Sequence, residues 1–80
     1  MNTYQLTHRA SCPNGDLVDA YEITIRSQTT IMVEEILRTL KEAPPRIYQE
    51  NLASLLRAKL GAAVTVEGWH HGIHITSTLD

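Results

Sequence analysis

Ala20-Tyr21-Glu22-Ile23-Thr24-Ile25-Arg26 alternates without a break: Tyr21, Ile23 and Ile25 point one way, and Glu22, Thr24 and Arg26 the other. A period of two specifies a strand with one buried and one wet face. Upstream, Thr3 to Ala10 repeats the pattern. Tyr4, Leu6 and Ala10 share one face with His8, while Thr3, Gln5, Thr7 and Arg9 occupy the other. Asn14-Gly15-Asp16 lies between the two runs and is strong turn chemistry, so the strands are expected to form a hairpin.

Downstream the period changes to that of a helix. Val33, Ile36, Leu37 and Leu40 recur at helical spacing behind Thr30 as the expected N-cap, with Glu34 and Glu35 where the helix dipole favours them. Pro44-Pro45 ends this helix. A second is expected from about Arg46 to Leu60, with Tyr48, Leu52, Leu55, Leu56 and Leu60 on one stripe and Gly61 as the terminating residue. Val64 and Val66 then alternate with Thr65 and Glu67. Trp69-His70-His71-Gly72 is expected to turn the chain, and Ile73 and Ile75 alternate with His74 and Thr76.

The order is strand, strand, helix, helix, strand, strand. With no repeat or linker in it, the reading is a single α+β domain over residues 1–80, a four-stranded antiparallel sheet with two helices on one face. If the helices cover the Ile/Val/Leu side, the other side carries Gln5, Thr7, Glu22, Thr24, Arg26, Thr65, Glu67, His74 and Thr76. Two edge strands are left with nothing in the sequence to cover them, and open edges invite pairing with another chain. Edge-to-edge assembly into a barrel with a polar lumen resolves both features, so a homo-oligomer, as a ring or two stacked rings, is expected.

Eighty residues enclose a modest core, and the absence of Phe leaves it to Ile, Leu, Val and Ala. Seven Lys and Arg against nine Asp and Glu give a net charge of -2, which argues against a domain dedicated to holding nucleic acid by phosphate contacts. A transient nucleic-acid substrate remains compatible with it. One cysteine cannot form a disulfide within the chain, and no apolar run approaches the length of a membrane span or signal peptide. A cytoplasmic setting without membrane association is expected.

That cysteine stands in Ser11-Cys12-Pro13-Asn14-Gly15-Asp16-Leu17-Val18-Asp19, a polar stretch with a carboxylate seven residues after the thiol. Pro13 biases Cys12 toward an extended conformation at the lip of a strand, and its neighbours cannot form an apolar pocket by themselves. A buried, inert thiol is the usual fate of a lone cysteine; the composition here favours an accessible one.

Three stretches resemble a known family. Cys12-Pro13 followed by Asp19 resembles the Cys-Pro, and the Asp seven positions on, of the QueF-like family of the tunnelling fold (T-fold). That family comprises the 7-cyano-7-deazaguanine nitrile reductase of the queuosine pathway and its archaeosine-type amidinotransferase relatives. Tyr48-Gln49-Glu50-Asn51-Leu52-Ala53 is similar to the family's short His-Glu segment, with Glu50 at the carboxylate that anchors the purine-like ring and Gln49 in place of the histidine. Gly72-Ile73-His74-Ile75 looks like its final hairpin.

The resemblance implies a ββααββ T-fold assembled edge to edge and binding its substrate at subunit interfaces. It also implies Cys12 as the nucleophile on a nitrile carbon, Asp19 as the proton-transfer group, and Glu50 with Gln49 at the substrate ring. The reductases carry a longer segment, rich in Lys and aromatic residues, that binds the nicotinamide cofactor. Here Thr29 to Arg46 is an amphipathic helix and a Pro-Pro break.

The expected activity is therefore capture of 7-cyano-7-deazaguanine, free or within tRNA or DNA, as a Cys12 thioimide, followed by transfer of ammonia or an amine to give an amidine, with no cofactor. Nicotinamide-dependent reduction of the same nitrile is the alternative, and a non-catalytic purine- or pterin-binding oligomer is the third reading. T-fold pterin synthases hold a metal on three histidines, but His70, His71 and His74 crowd one hairpin while His8 belongs to the helix-covered side, so no metal site is expected.

The chemistry suits these residues. A nitrile conjugated to an aromatic ring adds a thiolate to give a thioimide. A free thiol, with a pKa of about 8.5, is mostly protonated at neutral pH and needs a group to take its proton. A sheltered Asp19 suits that task, with a cation such as Arg9 offsetting its charge. A carboxylate such as Glu50 accepts two parallel N–H groups of a guanine-like ring at once.

Overall fold

A computed structural model of the chain describes residues 1–11, 13 and 18–80, with Val18 and Asp19 described by their backbone alone. The elements run β1 (Asn2–Ser11), β2 (Val18–Ser27), α1 (Val33–Glu42), α2 (Gln49–Leu60), β3 (Ala63–His70) and β4 (Ile73–Leu79). They form one antiparallel sheet in the order β1-β2-β3-β4, the ββααββ arrangement expected from the periodicities. Among the described residues no helix is long and apolar enough to cross a membrane.

The expected faces are present. Tyr21, Ile23 and Ile25 of β2 and Val64 and Val66 of β3 are at most 1% exposed, and they pack with Ile36, Leu40, Leu52, Ala53 and Leu56 from the helices. The polar face is knitted by short side chains. Thr7 donates to both carboxylate oxygens of Glu22, at 2.9 and 3.0 Å, and Arg26 reaches Thr65 Oγ1 at 3.5 Å. Glu22 stands opposite Glu67 in the register, and His74 Nε2 lies 3.9 Å from the Glu67 carboxylate.

Four local expectations are corrected. Thr30 is not the N-cap of α1. Ile31 N–H donates to Tyr4 Oη at 2.9 Å, which holds this segment extended against β1, and the helix starts from Met32 without a side-chain cap. The same helix is rotated from the expected stripe. Ile36, Thr39 and Leu40 face inward, while Val33 and Leu37 are 55% and 56% exposed. Burying Thr39 is inexpensive because its hydroxyl donates to Glu35 O, one turn back, at 2.8 Å.

The second helix begins at Gln49 instead of Arg46, because residues 45–47 are held extended beside the end of β1. Its far end is as expected: Gly61 adopts φ 63°, ψ 30°, a left-handed conformation, and its N–H donates to Arg57 O at 3.0 Å. Finally, the second hairpin turns on two residues, not four. His71 (φ 52°) and Gly72 (φ 81°) both take positive φ, as a tight hairpin turn requires, so Trp69 and His70 belong to β3, paired with His74 and Ile73.

Candidate functional site

Ser11, the residue before Cys12, is held from two sides. Its N–H donates to Pro45 O and its carbonyl accepts from Ile47 N–H, both at 3.0 Å, so residues 45–47 run beside the end of β1 as a short parallel bridge centred on Arg46. The buried Tyr21 hydroxyl donates to Ile47 O at 3.4 Å, which fastens the bridge to β2 as well. Pro44-Pro45 favours the extended backbone this bridge needs and prevents α1 from running through it. Two residues after Ile47, α2 begins.

Cys12 and residues 14–17 lie outside the described residues; Pro13 is exposed. Asp19 pairs with Ala10 at the start of β2. Glu50 is exposed in the first turn of α2, where the helix dipole favours a carboxylate, and its carbonyl accepts from Ser54 Oγ at 3.0 Å. The bridge thus places the residue before Cys12 against the segment that leads into Glu50, within one chain. Arg9 is exposed, opposite Ala20, on the sheet face away from Ala10. Arg46, expected to open the second helix, instead lies before it as the basic residue bridged to Ser11.

Gln49 is turned inward and only 2% exposed. Its amide nitrogen donates to Val66 O at 2.7 Å and Ile75 O at 2.9 Å, with Ser77 Oγ at 3.2 Å. Both strands of the second hairpin are therefore tied to the first residue of α2. The amide oxygen faces His70 Nε2 at 3.1 Å. Gly68 makes room for this. A Cβ there would stand 2.9 Å from both Gln49 Oε1 and Tyr21 Cδ1, closer than side-chain carbons pack.

His70 is the site residue that sequence reasoning missed. It is partly buried, on the helix-covered face of β3, with its ring 6.0 Å from that of Tyr21. The signal was available in the two-residue alternation Val64, Val66, Gly68, His70, all on one face. His74 lies on the opposite face, its ring tilted against that of Trp69 with centroids 4.9 Å apart. No group of three or more His, Cys, Asp or Glu among the described residues converges as a metal site.

Burial lowers the His8 imidazole below the usual histidine value, because the charged form loses hydration. A cavity of about 350 Å³ lies at the far end of the sheet, lined by Arg26, Ser27, Gln28 and Ala63 among others. It is remote from the Ser11 bridge and has no part in this cluster.

No family model matches the chain, and no curated protein matches it by sequence. Among solved structures, an archaeosine synthase QueF-Like, crystallised in the apo form, is similar to it with a TM-score of 0.79 at 19% identity, covering 98% of this chain and 89% of that one. The chain has the ββααββ T-fold of that archaeosine synthase.

Proposed function

We propose that the chain modifies a 7-deazaguanine, capturing the nitrile of 7-cyano-7-deazaguanine on Cys12 and transferring ammonia or an amine to it to give an amidine. The observation that carries the reading is the pair of backbone hydrogen bonds from Ser11 to Pro45 and Ile47. They hold the residue preceding the thiol beside residues 45–47, the segment that leads into the first turn of α2 and Glu50, and the fold is shared with an archaeosine synthase.

In the proposed reaction the Cys12 sulfur forms a bond to the nitrile carbon while one π bond of the C≡N group breaks, and the thiol proton is delivered to the nitrile nitrogen by way of Asp19. The product is a neutral thioimide. Ammonia adds to its carbon, the C–S bond breaks, and the thiolate leaves and regains a proton, giving the amidine. Glu50 accepts two ring N–H groups of the base and fixes its orientation. Gln49, expected to contact the substrate, is instead buried with its amide engaged by β3 and β4, and so supports the first turn of α2 that carries Glu50. No cofactor enters these steps.

The proposal includes a homo-oligomer, as a ring or two stacked rings, built by pairing β1 with β4 of a neighbour. Its support is the apolar character of the β4 edge, where Ile73 is 65% and Ile75 39% exposed.

Intact mass of the purified protein after incubation with 7-cyano-7-deazaguanine tests the reading. The expected result is a gain equal to one whole substrate molecule on wild type and none on Cys12→Ala. An unmodified wild type, or an adduct that persists in Cys12→Ala, overturns it. Ammonium should then discharge the adduct as an amidine; discharge by NADPH in its place would assign reduction. Sedimentation equilibrium at micromolar concentration tests the assembly, for which an active species of 9.0 kDa is the contrary outcome.

A further inference from the structure

We infer that His70 is the proton-handling residue of this site and that Gln49 is the positioning residue that sets which of its ring nitrogens does the work. The inference rests on the reading of Cys12 as nucleophile but is carried by a different set of contacts.

A glutamine amide has two hydrogens on nitrogen and lone pairs only on oxygen. Here the nitrogen must be the atom that faces Val66 O and Ile75 O, at 2.7 and 2.9 Å, because backbone carbonyls only accept. The atom facing His70 is consequently the oxygen, an acceptor, so His70 Nε2 carries hydrogen and donates at 3.1 Å. The neutral imidazole is held as the Nε2–H tautomer, and any proton it takes up or gives away passes through Nδ1. The amide, being 2% exposed and anchored to two strands, cannot swing to offer the opposite polarity.

The pair is connected through described contacts to the residue that precedes Cys12. Tyr21 packs its ring 6.0 Å from that of His70 and sends its hydroxyl to Ile47 O, whose own N–H binds Ser11 O. Gln49, His70, Tyr21, Ile47 and Ser11 are thus linked in one run of contacts that ends at the residue before Cys12. In the thiol addition, His70 Nδ1 and Asp19 share the passage of one proton from sulfur to the nitrile nitrogen, and no redox partner is required.

Two measurements that need no nitrile test the inference. Nitrogen chemical shifts of the His70 ring in the folded wild type should report the Nε2–H tautomer, and Gln49→Met should lose that single form. Alkylation of Cys12 by iodoacetamide at neutral pH should slow about tenfold in His70→Gln, because the thiolate is the reacting form. Glutamine there keeps an N–H donor toward Gln49, so the melting temperature should stay near that of wild type. His70→Asn is the second variant if His70→Gln does not fold. An Nδ1–H tautomer in wild type, or alkylation of a folded His70 variant at the wild-type rate, overturns the inference. Failure of wild type to form the nitrile adduct removes the proposed function instead, and leaves these two results to stand or fall by themselves.

Discussion

The two helices share one face of the sheet and differ in what they do there. Helix α2 packs on β3 and β4 and buries Leu52, Ala53 and Leu56 completely, together with Gln49. Helix α1 lies against α2, buries Ile36, Thr39 and Leu40, and leaves Met32, Val33 and Leu37 more than half exposed. The stronger apolar stripe in sequence belongs to the helix that is less buried. Amphipathicity shows that a helix has an inner face; how far it sinks is decided by what the neighbouring strands offer it, and only α2 finds both carbonyls and a glycine-lined recess beneath its first turn.

The sharpest test of that contrast is a pair of truncations. Leu56→Ala removes a side chain with no exposure and should cost about 2–5 kcal/mol, the range for large-to-small changes in closed cores. Leu37→Ala removes the same atoms from a surface and should cost roughly 0.5 kcal/mol or less. In a domain of this size each kcal/mol lowers the melting temperature by about 4–8 °C, so thermal melts separate the two readily. Equal losses would mean that α1 is as deeply seated as α2.

Gly68→Ala probes the recess itself. The new methyl would meet the Gln49 amide oxygen and the Tyr21 ring at 2.9 Å, and neither is the far end of a flexible, solvent-exposed chain. Overpacking of this kind should cost about 1–3 kcal/mol. It should also disturb the ring signals of His70 while leaving those of His74, on the opposite face, in place. A neutral Gly68→Ala with an unchanged His70 spectrum would show that the α2 end tolerates looseness and is not built to hold an imidazole.

How much of this was legible in the sequence follows from the range of the forces involved. The strand faces and the Gly61 cap depend on local alternation and local φ preference, and both were readable. So was the polar sheet face. The late start of α2 was not, because it is imposed by Ser11, which lies more than thirty residues upstream of the bridge it makes with Arg46. The rotation of α1 was hidden in Thr39, whose hydroxyl satisfies itself on the preceding turn and thereby behaves as a core residue. His70 was obscured by its neighbours: Gly68 interrupts the apolar alternation, and Trp69-His70-His71-Gly72 reads as a four-residue turn until the positive φ of His71 shortens it to two. Cys12 and Asp19 are the opposite case, conspicuous in sequence, with Cys12 outside the described residues and Asp19 described only through its backbone pairing with Ala10.

The smallest predicted effect concerns the margin of the helix layer above β1. Tyr4, Leu6 and His8 alternate on the covered face there, yet each keeps some exposure, unlike the closed centre formed by β2 and β3. His8 reports how dry that margin is, since burial holds its folded pKa below the usual 6.5. Between the unfolded and folded values the unfolded chain binds the proton more readily, so the contribution of His8 to stability is complete above about pH 6.5 and declines as the pH falls from there through the lowered folded value. Melting temperatures of wild type and His8→Gln from pH 8 down to pH 5 should therefore converge toward acid, the wild type losing more over that interval because glutamine does not titrate. The loss should be modest, as His8 is only partly enclosed. Parallel curves would mean that water reaches the imidazole freely, and that the cover over β1 is as open as the outer surface of α1.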